Sequence, residues 1–376
     1  MMARTLSQEM KARRLASLDR EERLRELLAL HFHPQHGSDY WLRRQERLGW
    51  DVCDRVRTFD DLWLLGPTPL SDLRCSPLRS FIPRTFHRQA PRFFIGETAG
   101  TSGAPLTTAY REDEFQAAFI EPFLRVAAAT GFPQGESWLW VGPSGPHIIG
   151  KVVRELALQT GSMDPFSVDF DPRWAKKLAE GSLARRRYLD HVTGQALEVL
   201  RREEVGILFI TPPALAALTE RLSDREREAI HGIHYGGMSL TAETVNEFRT
   251  AYPNAVHLAG YGNTLFGVVM EMADAPRRSI DYFPLAERIQ FHLVEWCGEE
   301  ESSEAWPPRV VERGQIGRVL FHRLDESCLL VGIVERDEAE RLAPSEEARN
   351  LGGIADGLRN PRPPTPLVGR LQLGLY

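Results

Sequence analysis

Glycine and small hydroxyl-bearing residues are concentrated in one segment, GETAGTSGAPLTTAYREDEF, which begins at Gly96 directly after the apolar run RFFI. Glycines let the backbone turn tightly, and its N–H groups with the hydroxyls of Thr98, Thr101 and Ser102 can line a concavity for phosphate oxygens. The segment lacks the G-K-[ST] of a Walker loop and the G-x-G-x-x-G of a dinucleotide fold. Alone it fits a phosphate-binding loop or a solvent-exposed loop of turn formers equally well, so other segments must decide.

Four segments in the right order resemble the motifs of adenylate-forming ligases. TAGTSGAP resembles their phosphate loop, S-S-G-T-T-G-x-P, and YGGMSLTAE at 235–243 resembles their adenine-side segment. AGYGNT at 259–264 resembles Y-G-x-T-E, and GIVERDEAERLAP resembles the strand that ends in R-T-G-D. The segment from about His31 to Arg74 is similar to the opening of phenylacetate-coenzyme A ligases and of acyl-protein synthetases. Similarity thus covers residues 30–340.

The resemblance implies roles for particular residues. Tyr261 would lie against adenine, Thr264 near the α-phosphate, and Asp337 at the ribose hydroxyls. The implied nucleotide-binding residues are Thr98, Gly100, Thr101, Ser102, Gly103, Gly236, Gly237, Met238, Tyr261, Gly262 and Asp337. Thr264 and His147 are the implied catalytic residues.

The acid would occupy a pocket supplied by His147, Trp140, Gly260 and Phe266, with Trp138 as a further candidate. Aromatic and apolar side chains suit a planar aryl acid such as a benzoate, hydroxybenzoate or anthranilate better than a fatty acid. For Trp138, Trp140 and Phe266 the alternative is an ordinary core position, and for His147 it is a helix-capping or core histidine.

Two departures from the family bear on mechanism. Leu265 stands where relatives have a glutamate that helps to hold magnesium, so Glu271 or the nucleotide phosphates would hold Mg²⁺ instead. Only 39 residues follow Asp337, whereas relatives carry a mobile C-terminal domain with a catalytic lysine, so we expect that domain to be lacking. Its charge would be replaced by magnesium, the loop hydroxyls and an arginine, for which the candidates are Arg359, Arg362 and Arg370.

The predicted activity is formation of an acyl-adenylate from a small-molecule carboxylic acid and ATP, followed by transfer of the acyl group to a small nucleophile or to coenzyme A. One alternative is an acyl-protein synthetase that parks its acyl group on Cys328, although a buried strand thiol is the simpler explanation of that residue. The other is a regulatory protein that binds a nucleotide without catalysis. A covalent acyl-enzyme that is stable to denaturation and is lost in Cys328→Ala would identify the synthetase, and ATP binding without turnover would identify the regulatory protein.

Composition narrows the remaining classes. The chain has a formal net charge of -6, with 42% hydrophobic and 26% charged residues, so no basic excess points to nucleic acid. Its apolar stretches are too short to cross a membrane, and an apolar signal region does not follow the charged start. Four scattered cysteines without a C-x-x-C pair argue against zinc and fit a reducing compartment. We therefore expect a cytoplasmic protein, and a homodimer is compatible with the sequence.

The elements that must position these residues indicate an α/β fold. Helical patterns dominate 1–90. Residues 91–275 alternate short apolar runs, such as SWLWV, VGILFI and AVHLAGYG, with amphipathic stretches such as 112–130, which predicts a nucleotide- and acid-binding core of mixed sheets flanked by helices. Residues 276–376 contain strand patterns at 288–296, 317–324 and 328–335 and are predicted to form a small β-barrel-like subdomain.

Overall fold

The computed structural model describes residues 19–88, 92–98, 100, 104–179, 181–272, 278–296, 306–353 and 355–364. The helices are α1 Arg20–His31, α2 Asp39–Leu48, α3 Val52–Arg55, α4 Leu70–Cys75, α5 Thr85–Arg88, α6 Glu112–Phe115, α7 Glu121–Thr130, α8 Ile148–Gln159, α9 Pro172–Lys177, α10 Leu183–Arg202, α11 Pro212–Thr219, α12 Asp224–Glu228, α13 Ala242–Ala251 and α14 Glu346–Asn350. Short 3₁₀ segments span Asp60–Leu65 and Leu78–Ser80, and a π-helical segment spans Gln116–Ile120.

The strands are β1 Phe93–Glu97, β2 Thr107–Arg111, β3 Trp138–Gly142, β4 Phe166–Asp169, β5 Ile207–Ile210, β6 Gly232–Tyr235, β7 Val256–Asn263, β8 Gly267–Glu271, β9 Asp281–Phe283, β10 Ile289–Val294, β11 Ile316–Leu324, β12 Leu329–Leu342 and β13 Gly357–Arg362. Strands β1 and β2 form a separate antiparallel pair. The others form an eleven-stranded sheet in the order β10-β11-β12-β13-β9-β8-β7-β6-β5-β3-β4.

The half of the large sheet from β4 to β7 is parallel, and its centre is buried on both faces. Along β3, Trp138 and Trp140 face a core formed with α7 and α8, whereas Leu139 and Val141 face the core on the α10 side. Strands that are covered on both faces are expected to be almost wholly apolar, which explains the runs WLWV and ILFI.

The chain reverses its direction of travel across the sheet between β3 and β5. After β3 it moves outward to β4, and it then returns to place β5 on the other side of β3. In open α/β sheets, ligands bind outside the carboxyl ends of the strands at such a switch point. The fold therefore marks the space beyond β3 and β5 before any side chain is considered.

The predicted amphipathic segment at 112–130 is confirmed as helical and is interrupted by the π-helical turn. The helical spacing of Phe115, Phe119, Phe123 and Val126 predicts that they share one inward face, and all four are buried. Single π turns inside helices are frequent at functional sites. The turn here carries Phe119 towards the carboxyl edge of the parallel strands.

The predicted α/β class is confirmed, and the β-rich end of the chain continues the same sheet. Strands β8 to β13 are joined by antiparallel pairs in an open order, so among the described residues they extend the large sheet rather than close into a barrel. The N-terminal helices pack on this part: Trp41 Nε1 donates to the Leu329 carbonyl at 3.0 Å. Residues 5–18 of the predicted first helix and the predicted final strand at 367–376 lie outside the described residues.

No helix in the described part of the chain combines the length and the apolar character needed to cross a membrane.

Candidate active site

A cavity of about 250 Å³ opens at the carboxyl ends of the parallel strands, at the switch point. Residues from the β1–β2 connection, the start of α8, the ends of β6 and β7, and β12 line it. Of the predicted site residues, the lining includes Thr98, Gly100, His147, Gly236, Gly237, Gly260, Gly262 and Thr264. Segments that lie far apart in the sequence therefore meet in one site.

The loop predicted to bind phosphate leaves β1 and returns into β2 through a narrow neck. Thr98 N donates to the Leu106 carbonyl at 2.9 Å, and Leu106 N donates to Thr98 Oγ1 at 2.9 Å. Gly100 has φ 67°, a left-handed conformation that favours glycine. Thr101, Ser102 and Gly103 lie outside the described residues. These two hydrogen bonds join the two ends of the loop beside the cavity.

A second set of bonds fixes the turn that follows β7 and carries Thr264. Asn263 Oδ1 accepts from Leu265 N at 2.8 Å and from Phe266 N at 3.2 Å. Thr264 Oγ1 lies 3.4 Å from the Glu97 carbonyl, at the start of the loop between β1 and β2. The turn and the loop are therefore neighbours, and the Thr264 hydroxyl lies between them.

The backbone carbonyl oxygens of residues 264–266 each accept a hydrogen bond from a different side chain. Tyr110 Oη donates to the first at 2.9 Å, Arg323 Nη1 to the second at 3.2 Å, and Arg288 Nη1 to the third at 2.6 Å. Arg323 also donates to Thr108 Oγ1 at 2.7 Å and to the Ala109 carbonyl at 2.6 Å, both on β2. The Arg323 guanidinium therefore links β2, the strand that follows the loop, to the turn that carries Thr264.

Asp325 forms ion pairs with both arginines of this buried cluster. It accepts from Arg323 Nε at 2.5 Å and from Arg288 Nε and Nη2 at 2.8 and 2.5 Å. Burial raises the pKa of Asp325, but the two guanidinium groups outweigh that effect and hold the pKa below its ordinary value. This cluster is not among the site residues predicted from the sequence, where its one signal is the charge in the segment FHRLDE.

The predicted nucleotide side contains two carboxylates on β12. Tyr261 Oη donates to Asp337 Oδ2 at 3.1 Å, and Asn263 Nδ2 donates to Glu335 Oε1 at 2.6 Å. Burial raises the pKa of Asp337, and burial together with the Asp337 charge raises the pKa of Glu335 to about 7. Glu335 and Asn263 line the cavity and were not anticipated from the sequence. Tyr261, by contrast, holds Asp337 rather than lining the cavity.

Gly236 and Gly237 line the cavity at the end of β6, and Gly237 has φ 81°. Met238, the next residue, is partly buried and packs against the core. The two glycines, which carry no side chain, therefore present backbone to the cavity.

His147 precedes α8 and is its N-terminal capping residue, although its side chain makes no capping hydrogen bond. It lines the cavity and is buried. Burial lowers the pKa of His147, and the nearby Arg173 guanidinium lowers it further. The imidazole is therefore neutral near pH 7 and can donate or accept a hydrogen bond without bringing a charge.

The apolar end of the cavity lies against the face of the sheet that carries α7 and α8. The side chains there are Phe119, Ile148, Ile149, Val152, Phe209, His234 and Val268. The predicted pocket residues Trp140 and Phe266 are not part of the cavity lining. Trp140 lies behind this wall and packs on Phe209 with ring centroids 4.7 Å apart, whereas Phe266 packs on Phe291 and Phe321 in the other core. Trp138 packs on Phe123 and Phe132 in the same core as Trp140.

Solved structures share this architecture. The chain matches the structure of 2-hydroxyisobutyryl-CoA ligase in complex with 2-HIB-AMP and CoA in the thioesterification state. The match covers 90% of this chain and 66% of the ligase chain, with a TM-score of 0.63 and 14% sequence identity. It matches an open conformation of that ligase with 2-HIB-AMP and CoA over 92% of this chain and 72% of the other, with a TM-score of 0.60 and 15% identity.

The chain has the fold of an acyl-CoA ligase. It spans about two thirds of the length of the ligase structure with the higher TM-score. No protein-family profile matches the chain, and no curated protein matches it in sequence. The resemblance drawn from the motifs is therefore confirmed at the level of the fold, which the ligase shares despite low identity.

Within this ligase fold, the described residues contain no group of three or more His, Cys, Asp or Glu side chains arranged to hold a metal ion. Glu271, the predicted magnesium ligand, is buried at the far end of β8, four residues beyond Gly267 of the cavity wall. Leu265 lines the cavity. Among the residues that line the cavity, Glu335 carries a carboxylate, and the pKa of that carboxylate is raised by burial.

Cys328 of the ligase fold is 1% exposed, and burial raises the pKa of its thiol. A buried, protonated thiol is a poor nucleophile.

Three arginines are the predicted replacements for the family lysine. Arg359 pairs with Asp281 and Glu340, Arg362 pairs with Glu338, and Arg370 lies outside the described residues. Arg74 and Arg336, in contrast, line the cavity and were not anticipated.

Proposed function

We propose that the protein is an ATP-dependent acid ligase that joins a carboxylic acid to AMP and releases pyrophosphate. The observation that carries this proposal is the single cavity in which the neck of the Thr98–Leu106 loop, the Thr264 turn and an apolar pocket meet at the switch point. A loop suited to phosphate, placed beside a pocket suited to an organic acid, is the arrangement that such a reaction requires. The ligase of similar fold was solved with an acyl-adenylate, 2-HIB-AMP.

In this proposal each part of the cavity has one task. The loop from Thr98 to Gly103 binds the β- and γ-phosphates that leave as pyrophosphate. Gly236, Gly237 and Met238 face the adenine, and the Tyr261–Asp337 pair binds the ribose. His147 and Thr264 lie where the acid's carboxylate oxygen attacks the α-phosphorus, and the bond to pyrophosphate breaks.

Catalysis by these residues is chiefly positioning and stabilisation of charge. The Thr264 hydroxyl can donate to an α-phosphate oxygen, and its turn is held rigidly by three separate side chains. Neutral His147 can donate to the carboxylate without weakening its nucleophilicity as strongly as a cation would.

The cavity-wall residues that the structure describes do not form a dedicated metal site, because carboxylate oxygens are few among them and Glu335 bonds to Asn263. Magnesium usually binds through one or two carboxylates and the substrate's phosphates. We therefore expect Mg²⁺ to enter with ATP, and no step above depends on a protein-held ion. The test for the sequence-based candidate is Glu271→Gln, which lowers the apparent Mg²⁺ affinity only if Glu271 is a ligand.

An aryl acid is the proposed substrate class. Phe119 and Phe209, together with branched aliphatic side chains, line the apolar end, and Gly260 adds no side chain there. Aromatic and apolar side chains of this kind suit an aromatic ring. The acyl group then passes to a small nucleophile or to coenzyme A, which the ligase of similar fold binds.

The experiment is acid-dependent exchange of labelled pyrophosphate into ATP, with benzoates, anthranilates, phenylacetate and fatty acids as the panel. We expect exchange with an aryl acid, and loss of exchange in Thr101→Ala and Asp337→Ala but not in the surface control Arg92→Ala. ATP binding without exchange would instead support the regulatory reading. Absence of ATP binding would overturn the proposal altogether.

A further inference from the structure

His234 lies at the apolar end of the cavity, in the middle of the buried strand β6. The side chain is 4% exposed and lines the cavity. Its ring lies between Phe123 and Phe209, with centroids 4.8 and 4.2 Å away. A polar ring in such apolar surroundings needs a hydrogen-bond partner for each of its nitrogens.

One nitrogen of this ring has its partner within the protein. Nδ1 lies 3.1 Å from the carbonyl oxygen of Leu258, which can only accept, so Nδ1 carries the hydrogen. Burial lowers the pKa of His234 to about 4, so the ring is neutral at pH 7. The second nitrogen, Nε2, therefore presents a lone pair.

Nε2 of His234 has no hydrogen-bond partner among the described residues. It differs from Nε2 of His322, which is sealed in the core without a partner, because the His234 ring reaches the cavity wall. A Cβ added at Gly260 would lie 3.2 Å from Cε1, the carbon bonded to Nε2. The glycine thus leaves that edge of the ring open to the cavity.

The position of this acceptor relative to the reacting end follows from the strand register. His234 pairs with Leu258 at the inner part of β7, whereas Thr264 follows the outer end. From Gly260 to Asn263 the strand rises about 10 Å. An aromatic ring whose carboxylate lies near Thr264 therefore directs its remote edge towards His234.

We propose that His234 is a specificity-determining residue, and that the substrate is an aryl acid with a hydroxyl or amino group on the ring edge remote from its carboxylate. The group donates its hydrogen to Nε2 of His234. A methoxy group, which only accepts, and a bare ring both leave Nε2 buried without a partner. This inference rests on the proposed function and names its substrate class.

The expected selectivity follows from the cost of that unpaired nitrogen. Leaving one buried neutral acceptor unsatisfied corresponds to about a 10- to 100-fold loss in kcat/KM. The hydroxy or amino acid should therefore exceed its unsubstituted and methoxy analogues by that factor.

The test measures pyrophosphate exchange by the full chain with matched sets of hydroxy-, amino-, methoxy- and unsubstituted aryl acids. His234→Leu removes the acceptor, and His234→Gln restores one through its side-chain oxygen. We expect His234→Leu to lose activity with the hydroxy or amino acid while it retains activity with the unsubstituted acid. His234→Gln should recover part of the preference, and ATP affinity should stay unchanged in both variants.

Equal activity of the unvaried protein with hydroxy, methoxy and unsubstituted acids would overturn the inference and leave the proposed function standing. Absence of exchange with every acid would count against the proposed function itself. Because the comparison of acids uses the unvaried protein, it decides the matter even if His234→Leu fails to fold.

Discussion

Substitution of the buried Arg323 tests whether its guanidinium stabilises the site. The side chain is 0% exposed and donates to Asp325 Oδ2, the Ala109 carbonyl and the Leu265 carbonyl. Arg323→Met keeps most of the side-chain volume and removes every one of these bonds. It leaves a buried carboxylate with one fewer cation and two buried carbonyls without this donor.

The magnitude follows from what remains after the change. Removing one partner of a buried ion pair costs about 3–5 kcal/mol. Asp325 keeps two bonds to Arg288, at 2.8 and 2.5 Å, which places the loss from the pair near the low end of that range. The two carbonyls add about 1 kcal/mol each. We therefore expect Arg323→Met to lower the free energy of unfolding by about 5 kcal/mol.

Urea denaturation measures this loss, with Arg92→Met as the matched control. Arg92 pairs with Glu112 on the surface, where the two side chains are 68% and 55% exposed, so that variant should lose less than about 1 kcal/mol. A double-mutant cycle with Arg288→Met should be strongly non-additive, because the second removal leaves Asp325 with neither cation. A loss in Arg323→Met no larger than in the control would refute the role of the cluster.

Three further predictions concern the cavity. Thr264→Ala should slow acid-dependent exchange by about 10- to 100-fold while ATP affinity, measured by calorimetry, changes little; equal losses in both would contradict a role in the reaction step. Asp337→Asn should weaken ATP and AMP binding by the same factor, about tenfold, since the ribose is common to both; unchanged AMP affinity would argue against it. Because the pKa of Glu335 rises from 4.5 to about 7 on folding, folding takes up a proton, and stability falls as pH rises through that interval. Urea denaturation at about pH 5 and about pH 8 should show this fall reduced in Glu335→Gln, and an identical pH dependence in the two proteins would contradict the assignment.

The sequence predicts well the parts of the fold that depend on local pattern. The runs at 137–141, 205–210 and 255–262 form strands. Thr241 precedes an amphipathic segment, which predicts a helix with Thr241 as its N-terminal cap, and Thr241 Oγ1 accepts from Thr244 N at 3.1 Å. Apolar runs of this length between amphipathic stretches have few alternatives to a parallel sheet. The ends of those strands then place the loop, Thr264 and His147 at one edge.

The sequence predicts poorly which side chains meet across long separations. Arg323 donates hydrogen bonds to residues 108, 109 and 265, and no local sequence pattern predicts these long-range contacts. Trp140 and Phe266 illustrate the same limit, since a buried aromatic residue in a strand or turn can face either a cavity or the core. In His234 the chemistry depends on one carbonyl bond that fixes the tautomer, and that bond depends on the register of β6 against β7.

The most direct test of the central claim is the fate of the acid's own oxygen. If the carboxylate attacks the α-phosphorus of ATP, an acid labelled with oxygen-18 in its carboxylate transfers one labelled oxygen to AMP once an acceptor takes the acyl group. The account predicts labelled AMP and unlabelled pyrophosphate by mass spectrometry. Label in inorganic phosphate together with ADP, or unlabelled AMP, would contradict it.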